Sequence, residues 1–425
     1  MPVGNLPDDN RGRLKMKNRY DVIVVGAGAA GMMAAISSAR AGARTAILEH
    51  MEQAGKKLLS TGNGKCNFTN RVQGVEYYRG QNPAFVLPAL KQFGVDRTLE
   101  FFQEIGIWAK EKRGGYYYPA SEQAASLRQA LVLELDRLGV DIHYNVGIRK
   151  ISKEKNIFYF DTKQGIYQSD VCVIATGGKA AKKTGSDGSG IPYIVGFGHK
   201  MIDFVPALVQ LQGKQSFLKE IAGIRADSLV RLYVNRTKFS EDRGEVQLTD
   251  FGVSGIPAFQ ISRYAVLALK KQQQVYVTID FAPDMKETEL CTYFIQQKQR
   301  NPKGYVKDSL IGLLNTKLIP VLMKEAGIEN TCILSHWKQE DMQKLIFVIK
   351  NLRIDIIGNK SFDFAQVCAG GVCTDEINPE TMESKLVKNL FFAGEIIDID
   401  GMCGGYNLQW AWSSGWLAGY YGGKR

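Results

Sequence analysis

Gly26, Gly28 and Gly31 have the spacing of a turn that brings backbone up to a phosphate, and Glu49 lies 18 residues beyond Gly31. Each residue type has a task in holding a dinucleotide. Gly26 permits a tight turn, Gly28 lets the backbone approach a pyrophosphate, and Gly31 lets a helix pack close to the preceding strand. The backbone N–H groups of Ala29, Ala30 and Gly31 open that helix. They offer unpaired donors and a partial positive charge to an anion. Glu49, with His50 beside it, ends the next strand, where a carboxylate accepts hydrogen bonds from an adenosine ribose and disfavours a 2′-phosphate. Strand, glycines, helix and acid together specify a dinucleotide site, without separating FAD from NAD.

The later glycine loops point to a flavin. Ala175, Thr176 and Gly177 follow an apolar strand, where backbone can run beside a bound dinucleotide. A second strand ends in Gly394-Glu395, placing an acid within reach of a ribityl hydroxyl or a pyrophosphate-bound water. Gly404, Gly405, Asn407 and Leu408 then open a further helix. Its N-terminus suits the pyrimidine edge of an isoalloxazine, where negative charge gathers on reduction. NAD has no group that needs this second helix, so the expected cofactor is FAD. The loop carrying Lys57, Ser60, Gly62, Asn63, Lys65, Cys66 and Asn67 is polar and glycine-rich, and is expected to wrap the pyrophosphate and flavin ring.

These loops need elements to hold them. Tyr20–Gly26 reads as a buried strand, 29–41 as a small-residue helix and 45–49 as a second strand, which makes one βαβ unit. Segments 83–105 and 121–139 read as helical, 141–145 and 156–161 as strands, 170–175 as a buried parallel-type strand, and 408–419 as the helix behind the last glycine loop. From about residue 201 short alternating runs suggest β structure, and 286–350 reads as helices with polar faces. The glycine-rich character returns after 365. The expected organisation is a basic tail over 1–19, a discontinuous FAD domain over 20–200 and 365–425, and an insert over 201–364. Within the insert, a β-barrel is expected at about 201–285 and 348–364 and a helical part at about 286–347.

Composition narrows the class further. With 425 residues, 45% hydrophobic and 23% charged, the chain is long enough for two or three domains and ordinary for a globular protein. The seven cysteines are odd in number and include no CxxC pair, and there are only four histidines. A disulfide framework, a zinc site or any other metal site is therefore not expected, and a reducing cytoplasm is. The apolar run 22–39 is broken by the dinucleotide glycines and is not expected to span a membrane. The net charge of +11 raises a nucleic-acid partner. Part of the excess lies in the opening basic segment, where Met16 is an alternative start to Met1, and no RNA-binding module is visible.

At these residues the chain resembles a bacterial family of FAD-binding flavoproteins that includes the bile-acid 7-dehydroxylation flavoprotein and aminoacetone oxidase. The resemblance runs from Tyr20 to Tyr421. It is carried by GAGAAG (26–31), KLLSTGNGKCNFTN (57–70), ATGGKAAKKTGSDGSG (175–190), GH with PALV (198–199, 206–209), TDFGVSGIP (249–257), CAGGV (368–372) and the long segment 381–419. It implies an α/β, two-dinucleotide-binding-domain flavoprotein fold, a Rossmann-like FAD domain with an inserted β-barrel plus a small helical domain, and FAD bound non-covalently. Two departures stand out. Thr249-Asp250 replaces a Thr-His pair common among relatives, and Cys368 and Cys373 flank the AGGV segment.

The resemblance implies, as the expected activity, an NAD(P)H-driven reduction of a C=C bond conjugated to a carbonyl in an apolar, steroid- or bile-acid-like small molecule. Such chemistry needs a hydrogen-bond donor at the carbonyl and an acid for the adjacent carbon. Tyr118, within the run Tyr116-Tyr117-Tyr118, together with Tyr406 and His199, are the candidates. No second complete GxGxxG is present, so a nicotinamide is expected only as a transient co-substrate. The alternatives are a peroxide-forming amine oxidase and an RNA-binding or RNA-acting flavoprotein. The sequence leaves the oligomeric state open.

Overall fold

The computed structural model describes residues 18–112 and 114–424. They form two compact units, one running up to Phe204 and resuming at Val367, the other spanning Val205–Gln366.

The first unit is built on a seven-stranded sheet among the described residues. Its order is Asp141–His143, Thr45–Leu48, Arg19–Val25, Gly165–Ile174, Ile157–Thr162, Ile148–Glu154. Val22, Ile23 and Val24 are fully buried in succession. That continuous apolar run is what a parallel strand covered on both faces requires. The long strand Gly165–Ile174 has two partners in turn along one edge. Its first half pairs antiparallel with Ile157–Thr162, while Cys172–Ile174 pairs parallel with Leu390–Phe392. The same strand therefore carries one glycine loop at its end and aligns another beside it.

Two helices lie against this sheet, Ala29–Arg40 and Tyr406–Gly423. The second was expected over 408–419 and runs four residues further. It continues because its glycines form a face that packs backbone to backbone. A Cβ at Gly415 would lie 2.5 Å from Ala30 O, one at Gly419 2.0 Å from Ala34 O, and one at Gly423 2.7 Å from Ser38 O. Four-residue spacing places all three on one side. Segment 83–105 also departs from expectation, forming two helices, Val86–Gln92 and Val95–Glu104, broken at Phe93-Gly94. The Phe93 carbonyl left free by the break accepts from Ser413 Oγ at 2.6 Å and Gln409 Nε2 at 3.2 Å, both on the closing helix.

The second unit contains a closed six-stranded barrel, ordered Leu211–Gly213, Gly252–Gly255, Thr237–Thr249, Arg225–Val234, Val275–Asp280, Leu352–Asn359. Val230, Leu232, Val246, Leu248, Val277, Ile279 and Ile354 are fully buried, which reflects the alternation of inward-facing residues in a barrel. Helices Glu287–Arg300, Leu318–Glu325 and Gln339–Lys350 lie between the last two barrel strands in sequence. Asp280 is buried and paired with Lys350 at 2.8 Å. Thr249 Oγ1 donates to Gly252 O at 3.0 Å, so the Thr249-Asp250 pair sits at a strand-to-strand turn. Among the described residues no helix is long and apolar enough to cross a membrane, and no group of three side chains suits a metal ion.

Candidate functional site

Gly26 adopts φ +98°, and a Cβ there would meet Ala175 O at 2.8 Å. A Cβ at Gly31 would fall 1.9 Å from Gly26 O. These two glycines let turn, helix and neighbouring strand approach without side chains between them. Gly28 differs, because a Cβ on it would meet nothing within 4 Å. It is the N-cap of the Ala29–Arg40 helix, and no side chain caps that end. The chain thus leaves open space at an uncapped helix start, which would suit a pyrophosphate.

Glu49 is buried and accepts from Ala27 N at 2.6 Å through Oε2 and from Met51 N at 2.7 Å through Oε1. Each carboxylate oxygen still has a lone pair for a ribose hydroxyl. His50 lies 3.9 Å from Glu49 Oε1 and packs against Gly185, where a Cβ would be 3.1 Å from its Nε2.

The second glycine loop closes on the first. Gly394, at φ +76°, lies so near Ala30 that a Cβ would be 2.7 Å from the alanine methyl. Ser414 Oγ accepts from Gly394 N at 2.9 Å, and Trp410 Nε1 donates to Gly394 O at 3.2 Å, so the closing helix holds this turn. Glu395 Oε2 accepts from Lys57 Nζ at 2.7 Å, while Oε1 accepts from Cys368 N at 2.7 Å. Cys368 Sγ in turn accepts from Lys179 N at 3.0 Å. One carboxylate therefore joins the loops that begin at Lys57, Ala175 and Cys368.

The closing helix also fixes the Lys57–Asn70 loop. Thr69 Oγ1 and Gln409 Oε1 are 2.6 Å apart, and Trp412 Nε1 donates to Phe68 O at 2.9 Å. A Cβ at Gly405, φ +96°, would lie 2.7 Å from Thr69 O and 3.0 Å from Asn67 Oδ1. Asn407 donates to Gly401 O and accepts from Gly401 N, both at 2.8 Å, which braces the helix entry. Gly62 and Asn63 are both left-handed, at φ 54° and 55°. Ser60 Oγ donates back to Lys57 O at 2.8 Å. Cys66 is fully buried, and that burial pushes its thiol up to about 12.

Asn67 Oδ1, Thr176 Oγ1 and Ser186 Oγ are buried with no hydrogen-bond partner. Asn67 comes from the Lys57–Asn70 loop, and Thr176 and Ser186 from the segment 175–190. A Cβ at Gly177 would be 3.1 Å from Ser186 Oγ, and one at Gly190 only 2.0 Å from Thr176 Oγ1. An unpaired buried polar atom costs about 1–3 kcal/mol. Three of them beside left-handed glycines and uncapped helix ends fit a site whose missing partners belong to a polar dinucleotide such as FAD.

A small three-stranded sheet places the tyrosines. In it, strand Tyr116–Pro119 lies between Thr69–Asn70 and Ala109–Lys112. Alternation sends Tyr117 to one face and Tyr116 and Tyr118 to the other. Tyr117 is buried, donating to Glu111 Oε2 at 2.5 Å and contacting Arg71. On the opposite face a Cβ at Gly62 would lie 3.6 Å from Tyr118 Cε1. One at Gly404 would lie 2.9 Å from Tyr116 Cε1 and 3.1 Å from Tyr406 Cε2. Tyr406 stacks on Tyr77 with ring centres 4.6 Å apart. Burial, reinforced by Tyr77, Tyr116 and Glu76, pushes its hydroxyl well above the usual tyrosine range.

The sequence profile of the HI0933-like protein Rossmann domain matches residues 20–421. The chain belongs to the HI0933-like family. It carries the Rossmann-like FAD flavoprotein fold. This HI0933-like chain is 41% identical to the 3-dehydro-bile acid delta(4,6)-reductase of Clostridium scindens, over 95% of its own length and 98% of the relative's. It is 31% identical to the ribosomal RNA dihydrouridine synthase of Escherichia coli, over 94% and 96% respectively. With the enzyme of the same name from Haemophilus influenzae it shares 30% identity over 94% and 97%.

Some residues of the HI0933-like chain are placed otherwise than the sequence suggested. His199 is buried, with Nδ1 2.9 Å from Glu376 Oε2 and Nε2 2.8 Å from Ser384 Oγ. Both ring nitrogens are engaged, so the ring has none free for proton transfer to a ligand. The ring bridges Glu376 and Ser384. Asn407 spends its amide on the Gly401 loop rather than offering it outward. Ser186 was not singled out in the sequence. Its only signal was a small polar residue inside ATGGKAAKKTGSDGSG, a segment already marked by its glycines.

Proposed function

We propose that this HI0933-like flavoprotein reduces a C=C bond conjugated to a carbonyl, with an apolar, steroid-like substrate and a nicotinamide as transient electron donor. The relatives' names support the bond type. A 3-dehydro-bile acid with delta(4,6) unsaturation and a uridine both present a C=C conjugated to a carbonyl, and the words reductase and dihydrouridine in the relatives' names both denote its reduction. The greater identity to the bile-acid enzyme, 41% against 31%, favours the steroid-like substrate.

The observation that carries the reading is the tyrosine face beside the glycine loops. Bound FAD would supply the hydride. Tyr406, its phenol kept protonated by burial, can hold a hydrogen bond on a developing enolate oxygen without ionising. Tyr118, half-buried beside Gly62, is the second donor and the candidate acid for the carbon next to the carbonyl. Asn67, Thr176 and Ser186, whose buried oxygens lack protein partners, would hydrogen-bond the cofactor.

The test is anaerobic stopped-flow on the yellow holoprotein. Bleaching by NADH or NADPH, followed by return of the yellow colour on adding a conjugated steroid ketone, is the expected result. Bleaching by an amine alone, with no response to either nicotinamide, overturns it in favour of an amine oxidase. A second reading, action on RNA, is favoured by the dihydrouridine synthase relatives together with the net charge of +11. Loss of dihydrouridine from ribosomal RNA on deleting the gene would establish it.

A further inference from the structure

The strand that presents Tyr116 and Tyr118 has a second strand at its edge, and the residues opposite one another matter. Lys110 pairs with Tyr118 and Lys112 with Tyr116. Directly opposed residues of antiparallel strands project to the same face, so the two lysines share the face of the two tyrosines. Lys112 Nζ lies 4.5 Å from the Tyr118 ring centre, over its π face. Lys65, from the Lys57–Asn70 loop, reaches the same place. All three ammonium groups converge on Glu122, at 3.1 Å from Lys65, 3.7 Å from Lys110 and 2.7 Å from Lys112. Glu111, between the two strand lysines, points to the other face and is engaged by Tyr117. Among the described residues Glu122 is the one carboxylate within ion-pair distance of the three lysines, which leaves two positive charges uncompensated.

We propose that Lys65, Lys110 and Lys112 form a subsite for an oxyanion carried by the substrate, a carboxylate or phosphate remote from the bond that is reduced. The inference rests on the function proposed above, because the cluster borders the tyrosine face assigned there to the substrate. It adds what that reading lacks, a reason for an acidic substrate to be preferred to its neutral counterpart. Glu122 is partly exposed and serves as the internal counter-ion that an incoming anion joins or displaces. Exposed ion pairs are weak and screened, so the expected preference is modest, roughly three- to tenfold at low salt.

The experiment titrates oxidised holoprotein with matched pairs, a steroid enone acid and its methyl ester, and uridine monophosphate and uridine. Perturbation of the flavin absorption reads binding without turnover. The expected result is tighter binding of the charged member of whichever pair binds, with the difference removed by added salt. The Lys110→Gln/Lys112→Gln double variant should lose the preference, and Glu122→Gln should enlarge it. Binding of the neutral member should not change in either variant, which also shows that both remain folded. Equal affinity of the charged and neutral members in the unaltered protein overturns the subsite alone. If no member of either pair perturbs the flavin, the substrate reading falls and the subsite with it. The pair that binds identifies the oxyanion as a carboxylate or a phosphate.

Discussion

Lys57 and Glu395, separated by 338 positions in the chain, meet at 2.7 Å. Glu395 also receives the Cys368 backbone N–H, so the pair ties the loop after the second strand to the two glycine segments near the carboxyl end. Both side chains are largely shielded, at 26% and 18% exposure. Lys57→Met should therefore weaken FAD binding by about tenfold and lower apoprotein stability by about 1–2 kcal/mol, less than a fully buried pair would cost. Fluorescence titration with FAD and urea melts of the apoprotein check the two parts separately. A variant with unchanged FAD affinity would remove this ion pair from the site.

The three glycines of the first loop should respond differently to the same substitution. At Gly31 an added methyl collides with Gly26 O, so Gly31→Ala should impair folding itself. At Gly28 the methyl enters open space. Gly28→Ala should leave apoprotein stability within about 1 kcal/mol, yet reduce FAD affinity more than tenfold. Thermal melts with and without FAD distinguish the cases.

Tyr406→Phe keeps the stack on Tyr77 and removes only the hydroxyl. Reoxidation of the reduced protein by a conjugated ketone should slow by about 10²–10³-fold, with the yellow colour and FAD affinity retained. Because burial raises the Tyr406 pKa above its ordinary value of 10.0, the unaltered protein should hold its rate through pH 9. A fall below pH 9 that Tyr406→Phe abolishes would show that the hydroxyl titrates within the working range.

For His199 the expected effect is on stability. Burial outweighs Glu376 and lowers its pKa from the ordinary 6.5. Protons then bind the unfolded chain more readily than the folded one, so this residue's contribution declines as pH falls below about 6.5. His199→Gln should be less stable at neutral pH but lose less further stability on acidification. Melting temperatures of both proteins between pH 5 and 8, at matched ionic strength, test the sign.

Much of the candidate nucleotide site was legible in sequence because its logic is local. Gly26, Gly28 and Gly31 announce a strand, a turn and a helix within a few residues, and Gly394-Glu395 and Gly404-Gly405 mark their own turns. What could not be read was how side chains are spent across long separations. Glu49 and Glu395 are acids at the expected places, but each is occupied by backbone or lysine donors. His199 looked available for chemistry until partners 177 and 185 positions away took both nitrogens. The length of the closing helix was underestimated because local propensity ends helices at glycine. Here a distant backbone needs those glycines to remain bare.

That bare face has a consequence for the order in which the molecule is made. The opening helix finds its partner only across the span that joins Ser37 Oγ to Trp416 O, 379 positions apart at 2.9 Å. On a ribosome its Ala30, Ala34 and Ser38 side must wait exposed while the barrel unit is synthesised. Contacts of such separation close late. Cofactor capture would then follow translation, and a chain interrupted before Tyr406 would emerge with half a grip and nothing to hold.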